Sequence, residues 1–148
     1  MKTQKLGSAL FLVLISSTSS FAAATAEEAQ RIQGVFQTYI GAEPGVLTVA
    51  PAGDAYDITI DISPYLKKIT LPGFTSKVDA IKIQATPNGD GTWAVTSNSP
   101  MTATADAPDL FNFSMGAKSF TWSGTYSEAL YSFSDSKYDM TGFTMSQR

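Results

Sequence analysis

Apolar residues recur at helical spacing once in this chain and at a spacing of two almost everywhere else. In Thr25 to Ile40, the residues Ile32, Val35, Phe36, Tyr39 and Ile40 fall on one face at three- and four-residue intervals, and Gly41 supplies a stop. This predicts one amphipathic helix, with Thr25 and Glu28 at capping-box spacing. After Glu43-Pro44-Gly45 the period changes. Val46 to Ala50 reads as a short strand and Pro51 to Asp54 as a turn. Tyr56, Ile58, Ile60 and Ile62 then alternate with Asp57, Thr59 and Asp61, the signature of a strand with one face in the core and one in water. Ser63-Pro64 has the form of an N-cap followed by proline, so Pro64 to Ile69 is expected to make one helical turn before Leu71-Pro72-Gly73 breaks it.

The second half continues in short strands. Lys77 to Thr86 and Thr92 to Asn98 flank Pro87-Asn88-Gly89-Asp90-Gly91, a hairpin signal that places Ile81, Ile83 and Ala85 on the same side as Trp93 and Val95. Met101 to Ala105, Leu110 to Met115 and Lys118 to Thr125 follow, separated by Ser99-Pro100, Ala107-Pro108-Asp109 and Gly116-Ala117. Tyr126 to Leu130 is expected to form a turn of helix. Tyr131 to Phe133 and Tyr138 to Met145 complete the pattern, with a change of parity across Gly142 that suggests a bulge. The fold class is therefore α+β: one N-terminal helix packed on a twisted antiparallel sheet of about seven to nine strands.

The segment before the helix has three unlike parts. Lys2 and Lys5 precede an apolar run from Leu6 to Ile15, and a Ser/Thr stretch ends in Phe21-Ala22-Ala23-Ala24-Thr25-Ala26, the layout of a secretory signal peptide over residues 1–26. The run is about half the ~20 residues a membrane span needs, so cleavage is expected and no anchor afterwards. Small residues fit a cut after Ala24 or after Ala26; the second would remove Thr25, so either the cut falls after Ala24 or the first helical turn frays. Residues 27–148 form a single β-rich domain. Loss of Lys2 and Lys5 takes the formal charge from −3 to −5.

Composition excludes several chemistries. The 148 residues contain no Cys and no His, so a Ser-His-Asp or Cys-His nucleophile system, a His/Cys zinc site, disulfides and thiol redox chemistry are all excluded. An acidic chain whose only adjacent basic pair is Lys67-Lys68 does not suit nucleic acid. A cysteine-free exported domain fits a bacterial periplasm or secretion to the medium. Residues 27–148 carry 26 Ser plus Thr, so the wet strand faces are mostly hydroxyls.

Four constellations could carry function. Asp57 and Asp61 share the wet face of one strand, but four residues of strand separate them by about 13 Å, against the roughly 5 to 9.5 Å of a glycosidase pair. Asn88 and Asp90 could touch calcium, yet the third carboxylate and distal Glu of a calcium loop are missing. Asn112-Phe113-Ser114 matches the N-glycosylation pattern, which strand alternation explains equally well. Nine aromatics lie between Phe111 and Phe143. Alternation assigns most of them to the core, and the candidates for a ligand-lining surface are Phe111, Phe113, Phe120, Trp122, Tyr131 and Phe133.

The order of a signal peptide, Glu27-Glu28-Ala29-Gln30 opening a helix, Pro44-Gly45-Val46-Leu47-Thr48-Val49, Gly53 to Ile60, Asn88-Gly89-Asp90-Gly91-Thr92-Trp93 and Phe120-Thr121-Trp122-Ser123-Gly124 resembles the N-terminal part of a group of exported β-rich proteins of alphaproteobacteria with no assigned activity. The resemblance implies a longer protein, of which this is the N-terminal piece, and transfers no active site. The architecture is also similar to periplasmic lipid carriers in which a curved antiparallel sheet holds a helix and an acyl-chain cavity.

The reading that follows is a non-enzymatic envelope module without metal or cofactor, binding a lipid or other hydrophobic ligand. Its alternatives are a structural strand-rich repeat of a larger surface protein and a carbohydrate-active enzyme. The apolar positions Tyr138, Met140, Phe143 and Met145 near the C-terminal edge also suggest self-association through that strand. The intact mass of the exported product is expected to match a chain that begins at Thr25 or Glu27. Retention of Met1 to Ala22 in a membrane fraction would overturn the export reading.

Overall fold

The computed structural model describes residues 23–148; Lys2, Lys5 and the apolar run of the signal-peptide reading lie outside the described residues. The helix is α1 (Ala26–Ile40), one residue shorter than the periodicity suggested because Thr25 is its cap. Thr25 has an extended backbone, and its side chain accepts a hydrogen bond from the Glu28 N–H. Glu27 and Glu28 occupy the first turn, where the helix dipole favours negative charge. The tie to the sheet begins earlier: the Ala24 N–H donates to the Gly53 carbonyl at 2.9 Å, and the Thr25 N–H to the Tyr56 hydroxyl at 3.1 Å. A cut after Ala24 keeps the Thr25 cap, whereas a cut after Ala26 removes both Thr25 bonds.

Eight strands form one antiparallel sheet: β1 (Leu47–Ala52), β2 (Ala55–Ile60), β3 (Thr75–Val78), β4 (Ile81–Pro87), β5 (Thr92–Ala107), β6 (Phe111–Ser127), β7 (Ser132–Thr141) and β8 (Thr144–Gln147). The short helix α2 (Ser63–Leu66) links β2 to β3. The main order is β1-β2-β4-β5-β6-β7, with β3 beside β5 and β8 beside β6. This is the expected α+β architecture. Among the described residues, no helix is long and apolar enough to cross a membrane.

Several boundaries differ from the pattern reading, and the differences share a cause. Ser99-Pro100 and Gly116-Ala117 do not end strands, because both lie inside the long β5–β6 hairpin. The stretch Lys77 to Thr86 is divided at Asp79-Ala80 into β3 and β4, which pair with successive parts of β5. Likewise β7 and β8 pair with successive parts of β6. These interruptions align with the register shift in the central hairpin, where Ser99 pairs with Phe120 but Met101 with Ala117, so β5 advances two residues while β6 advances three. Such a bulge bends the sheet. Pro100 is tolerated there because its missing N–H falls in an already irregular ladder. Gly142 has φ +61°, and a Cβ on it would come within 2.7 Å of Lys118 Cγ, so it marks a break between two strands instead of a bulge within one.

Two further expectations are corrected. Asp61 and Ile62 leave the strand after Ile60, and the Asp61 carboxylate accepts the Ser63 N–H at 2.8 Å. Tyr126 to Leu130 is not helical: Tyr126 and Ser127 finish β6, and a turn closed by the Tyr131 N–H on the Glu128 carbonyl carries Tyr131 at φ +50°.

Directly paired residues share a sheet face, so the register defines an inner apolar face along the whole hairpin. Trp93, Val95, Ser97 and Ser99 of β5 lie opposite Tyr126, Gly124, Trp122 and Phe120 of β6; beyond the bulge, Met101, Ala103, Ala105 and Ala107 lie opposite Ala117, Met115, Phe113 and Phe111. The main buried cluster lies in the first half, where Ala29 and Ile32 of α1 sit on Leu47, Tyr56, Ile58, Ala85, Trp93 and Val95, with Phe36 and Ile40 packed against them; beyond the bulge the small residues Ala107 and Ala117 are also buried. Two serines interrupt that face. Ser97 Oγ donates to the Lys82 carbonyl at 2.7 Å, while buried Ser99 Oγ has no hydrogen-bond partner among the described residues, at a cost of about 1–3 kcal/mol.

Removing the cap by Thr25→Ala should lower stability by about 1 kcal/mol. Gly34→Ala should raise it by about 0.5–1 kcal/mol, since nothing lies within 4 Å of the added methyl on this mid-helix position. Urea unfolding of both variants checks the pair, and equal shifts of one sign would show that α1 does not behave as a capped helix.

Candidate apolar cavity

Between helix α1 and the sheet lies a half-open space of about 500 Å³. One wall is helical: Ile32, Val35, Phe36 and Tyr39, four of the five residues whose spacing predicted the apolar face. The floor is Ile58, Ile83, Ala85, Trp93, Val95, Trp122 and Tyr126, drawn from β2, β4, β5 and β6. Tyr131 and Phe133 close the far side from the β6–β7 turn and the start of β7. Volume and lining fall within the range of small-molecule sites, roughly 300–1,000 Å³ and mostly apolar.

The aromatic wall is specific in geometry. Phe133 stands edge-on to Trp122 at 5.0 Å between centroids and tilted against Tyr126 at 5.3 Å. It reaches this position because Gly124 lies between Trp122 and Tyr126 on β6 with no side chain. A Cβ on Gly124 would approach the Asp135 carbonyl to 2.7 Å and Phe133 Cδ1 to 3.1 Å. Trp93 is fixed at the other end by a tilted contact with Tyr56 at 5.8 Å and by its indole N–H, which donates to Glu128 Oε1 at 2.9 Å.

The charged residues of the lining are Arg31 and Glu128, both partly exposed. Arg31 Nε donates to both Glu28 oxygens at 2.9 Å, and Arg31 Nη2 donates to Glu28 Oε1 and Glu128 Oε1 at 2.6 Å. The two carboxylates raise the Arg31 pKa above its ordinary value, so the guanidinium is charged at any working pH. Burial, then the neighbouring Tyr39, Glu128 and Tyr131, push the Tyr126 hydroxyl pKa upward, which keeps that hydroxyl neutral. Arg31 and Glu128 are 46% and 42% exposed, so their pairing clamps α1 to the β6–β7 turn at a contribution of less than about 1 kcal/mol.

Of the six aromatics selected from the sequence, Trp122, Tyr131 and Phe133 line this cavity. Phe120 is on the same inner face one pair nearer the bulge, and Phe111 and Phe113 lie beyond the bulge opposite Ala107 and Ala105. The structure therefore divides the six between two halves of one face. Arg31, Trp93, Tyr126 and Glu128 were missed as site residues. Only the i,i+3 spacing of Glu28 and Arg31 hinted at part of their arrangement, because the pairing with Glu128 spans 97 residues.

The other constellations have structural roles. Asp57 accepts from Gln84 Nε2 at 3.1 Å across the β2–β4 pair. Hydrogen bonds from the Ser63 hydroxyl and backbone hold the Asp61 carboxyl below the ordinary aspartate range. Asp90 accepts the Thr92 N–H at 2.9 Å and hydroxyl at 2.6 Å, and Asn88 Nδ2 donates to the Thr92 hydroxyl, so these residues shape the β4–β5 turn. Among the described residues, no cluster of three or more Asp or Glu is placed to hold a metal ion. Asn112 Nδ2 donates to Asp106 at 2.7 Å beside the far end of the hairpin. Comparison with protein-family models, with curated proteins and with solved structures finds no match.

Gly124→Ala should cost about 1–3 kcal/mol and displace Phe133, because the clash is with a backbone carbonyl that no rotamer relieves. Thermal unfolding combined with near-UV circular dichroism of the Trp122–Phe133–Tyr126 cluster would measure it. An unchanged melting temperature and aromatic spectrum would mean that Phe133 does not rest on β6.

Proposed function

We propose that this protein is a non-enzymatic module of the bacterial envelope, periplasmic or secreted, that holds a lipid or other hydrophobic ligand between α1 and the sheet. The observation that carries the reading is the half-open cavity of about 500 Å³, whose walls are apolar from three sides and whose charged groups sit at the mouth. An apolar molecule entering it would cover Trp122, Phe133 and the 77%-exposed rings of Tyr39 and Tyr131, surface that otherwise faces water. The gain is roughly 25 cal/mol for each Å² of apolar surface covered.

A second reading has its own support. Every residue of β7 and β8 is exposed, and together these strands form one open edge with unpaired backbone groups, as a strand-rich repeat of a larger assembly would present. Lys137, Asp135 and Asp139 on β7 act against indiscriminate edge pairing, which favours the ligand-holding reading.

Native mass spectrometry of protein purified from the periplasm separates the two. A bound, solvent-extractable hydrophobic species, weakened by Trp122→Ala, is the expected result. An empty protein indifferent to added lipid, and associated through β7, would replace the ligand reading with the structural one.

A further inference from the structure

We infer that the cavity takes an uncharged apolar molecule, one whose polar end is a hydroxyl or similar neutral group, and discriminates against carboxylate-, sulfonate- and phosphate-headed amphiphiles of the same chain length. The inference rests on the ligand-holding reading and specifies its ligand class. An apolar site that accepts an anionic amphiphile needs a cation at its mouth whose charge is not already countered. Among the described residues Arg31 is the only cation lining the cavity; its Nε and Nη2 groups are engaged, and the charge that its Nη1 group still presents is already countered by two carboxylates. Nε is shared by the two oxygens of Glu28, and Nη2 bridges Glu28 to Glu128 at 2.6 Å.

The charge count points the same way: two carboxylates surround one guanidinium, so the cluster at the mouth is net negative. An arriving carboxylate would either displace Glu28 or Glu128 from a charge-assisted contact or take the Nη1 group of Arg31, and in both places it would sit beside like charges. The Trp93 indole N–H offers no alternative, since Glu128 Oε1 already accepts it. What remains for a ligand's polar end is the hydroxyls of Tyr39, Tyr126 and Tyr131, the Nη1 group of Arg31, and Glu128 Oε2, which receives no hydrogen bond from the described residues. Those groups can accept from an alcohol or donate to one, but an anion placed among them would add a third negative charge around one guanidinium.

Both tryptophans of the chain, Trp93 and Trp122, line the cavity and report on its occupation. The uncharged dye N-phenyl-1-naphthylamine serves as the probe, followed by its own fluorescence and by quenching of the tryptophans. It is then displaced by 1-dodecanol or by dodecanoate at pH 8.5 and low salt, both below their aggregation limits. Dodecanol should displace the dye at a concentration at least tenfold lower than dodecanoate. Raising the salt should narrow that ratio by screening the mouth. In E28Q/E128Q, where Arg31 loses both anionic partners, the ratio should fall to about one or invert. If the wild-type protein binds the dye but releases it equally to both competitors, the charge inference is wrong and the cavity reading stands. If the dye neither binds nor quenches the tryptophans, the cavity reading itself fails.

Discussion

The length of the β5–β6 hairpin constrains everything else in this fold. Its strands have 16 and 17 residues, a reach of roughly 53 Å at strand rise, and their paired positions keep one face apolar from Trp93 and Tyr126 to Ala107 and Phe111. Helix α1 has 15 residues and spans about 22 Å. It can cover less than half of that face. The neighbouring strands respond by forming two shorter tiers on each flank, β4 and β3 beside β5, and β7 and β8 beside β6. The bulge between Ser99 and Met101 is where one tier ends and the next begins.

The cavity is a consequence of how the helix is held. Ile32 and Ala29 anchor α1 over β1 and β2, and the extended Ala24-Thr25 segment pins its start to Gly53 and Tyr56. Its other flank does not rest on the sheet. Val35 and Tyr39 face the space above Trp122 and Phe133, and the contact across it is the polar clamp from Arg31 to Glu128. An apolar wedge in place of that clamp would draw the helix down and fill the space. A partly exposed ion pair spans the gap while leaving the space open, and it adds little stability of its own. Gly124 performs the complementary task on the sheet side, letting Phe133 lie flat enough to form a wall.

Carboxylates that could suggest catalysis or metal binding are instead taken up in local structure. Asp61 ends β2 and begins α2 through Ser63, Asp90 closes the β4–β5 turn through Thr92, and Asp57 bridges to Gln84. The polar chemistry that remains organised around a concave surface is the Glu28–Arg31–Glu128 cluster. Its geometry holds α1 to the turn after β6.

The helix, its cap, the period-two pattern of the sheet and the β4–β5 hairpin were legible in the sequence, because each depends on contacts within a few residues: Thr25 with Glu28, Ile32 with Phe36, and the glycines at 89 and 91 with their positive φ. Strand lengths were not. Ser99-Pro100 and Gly116-Ala117 look like ends in one dimension, yet two adjacent irregularities facing each other make a bulge that both strands cross. Conversely, Asp79-Ala80 carries no breaker and still divides two strands, because the sheet bends there. Aromatic content pointed to Trp122, Tyr131 and Phe133, but alternation alone could not tell them from Phe111 and Phe113, since each lies in a stretch that alternates apolar and polar residues. Which aromatics border a cavity was decided by where a 15-residue helix lands on a longer face and by an ion pair between residues 97 apart, and neither distance is encoded in local spacing.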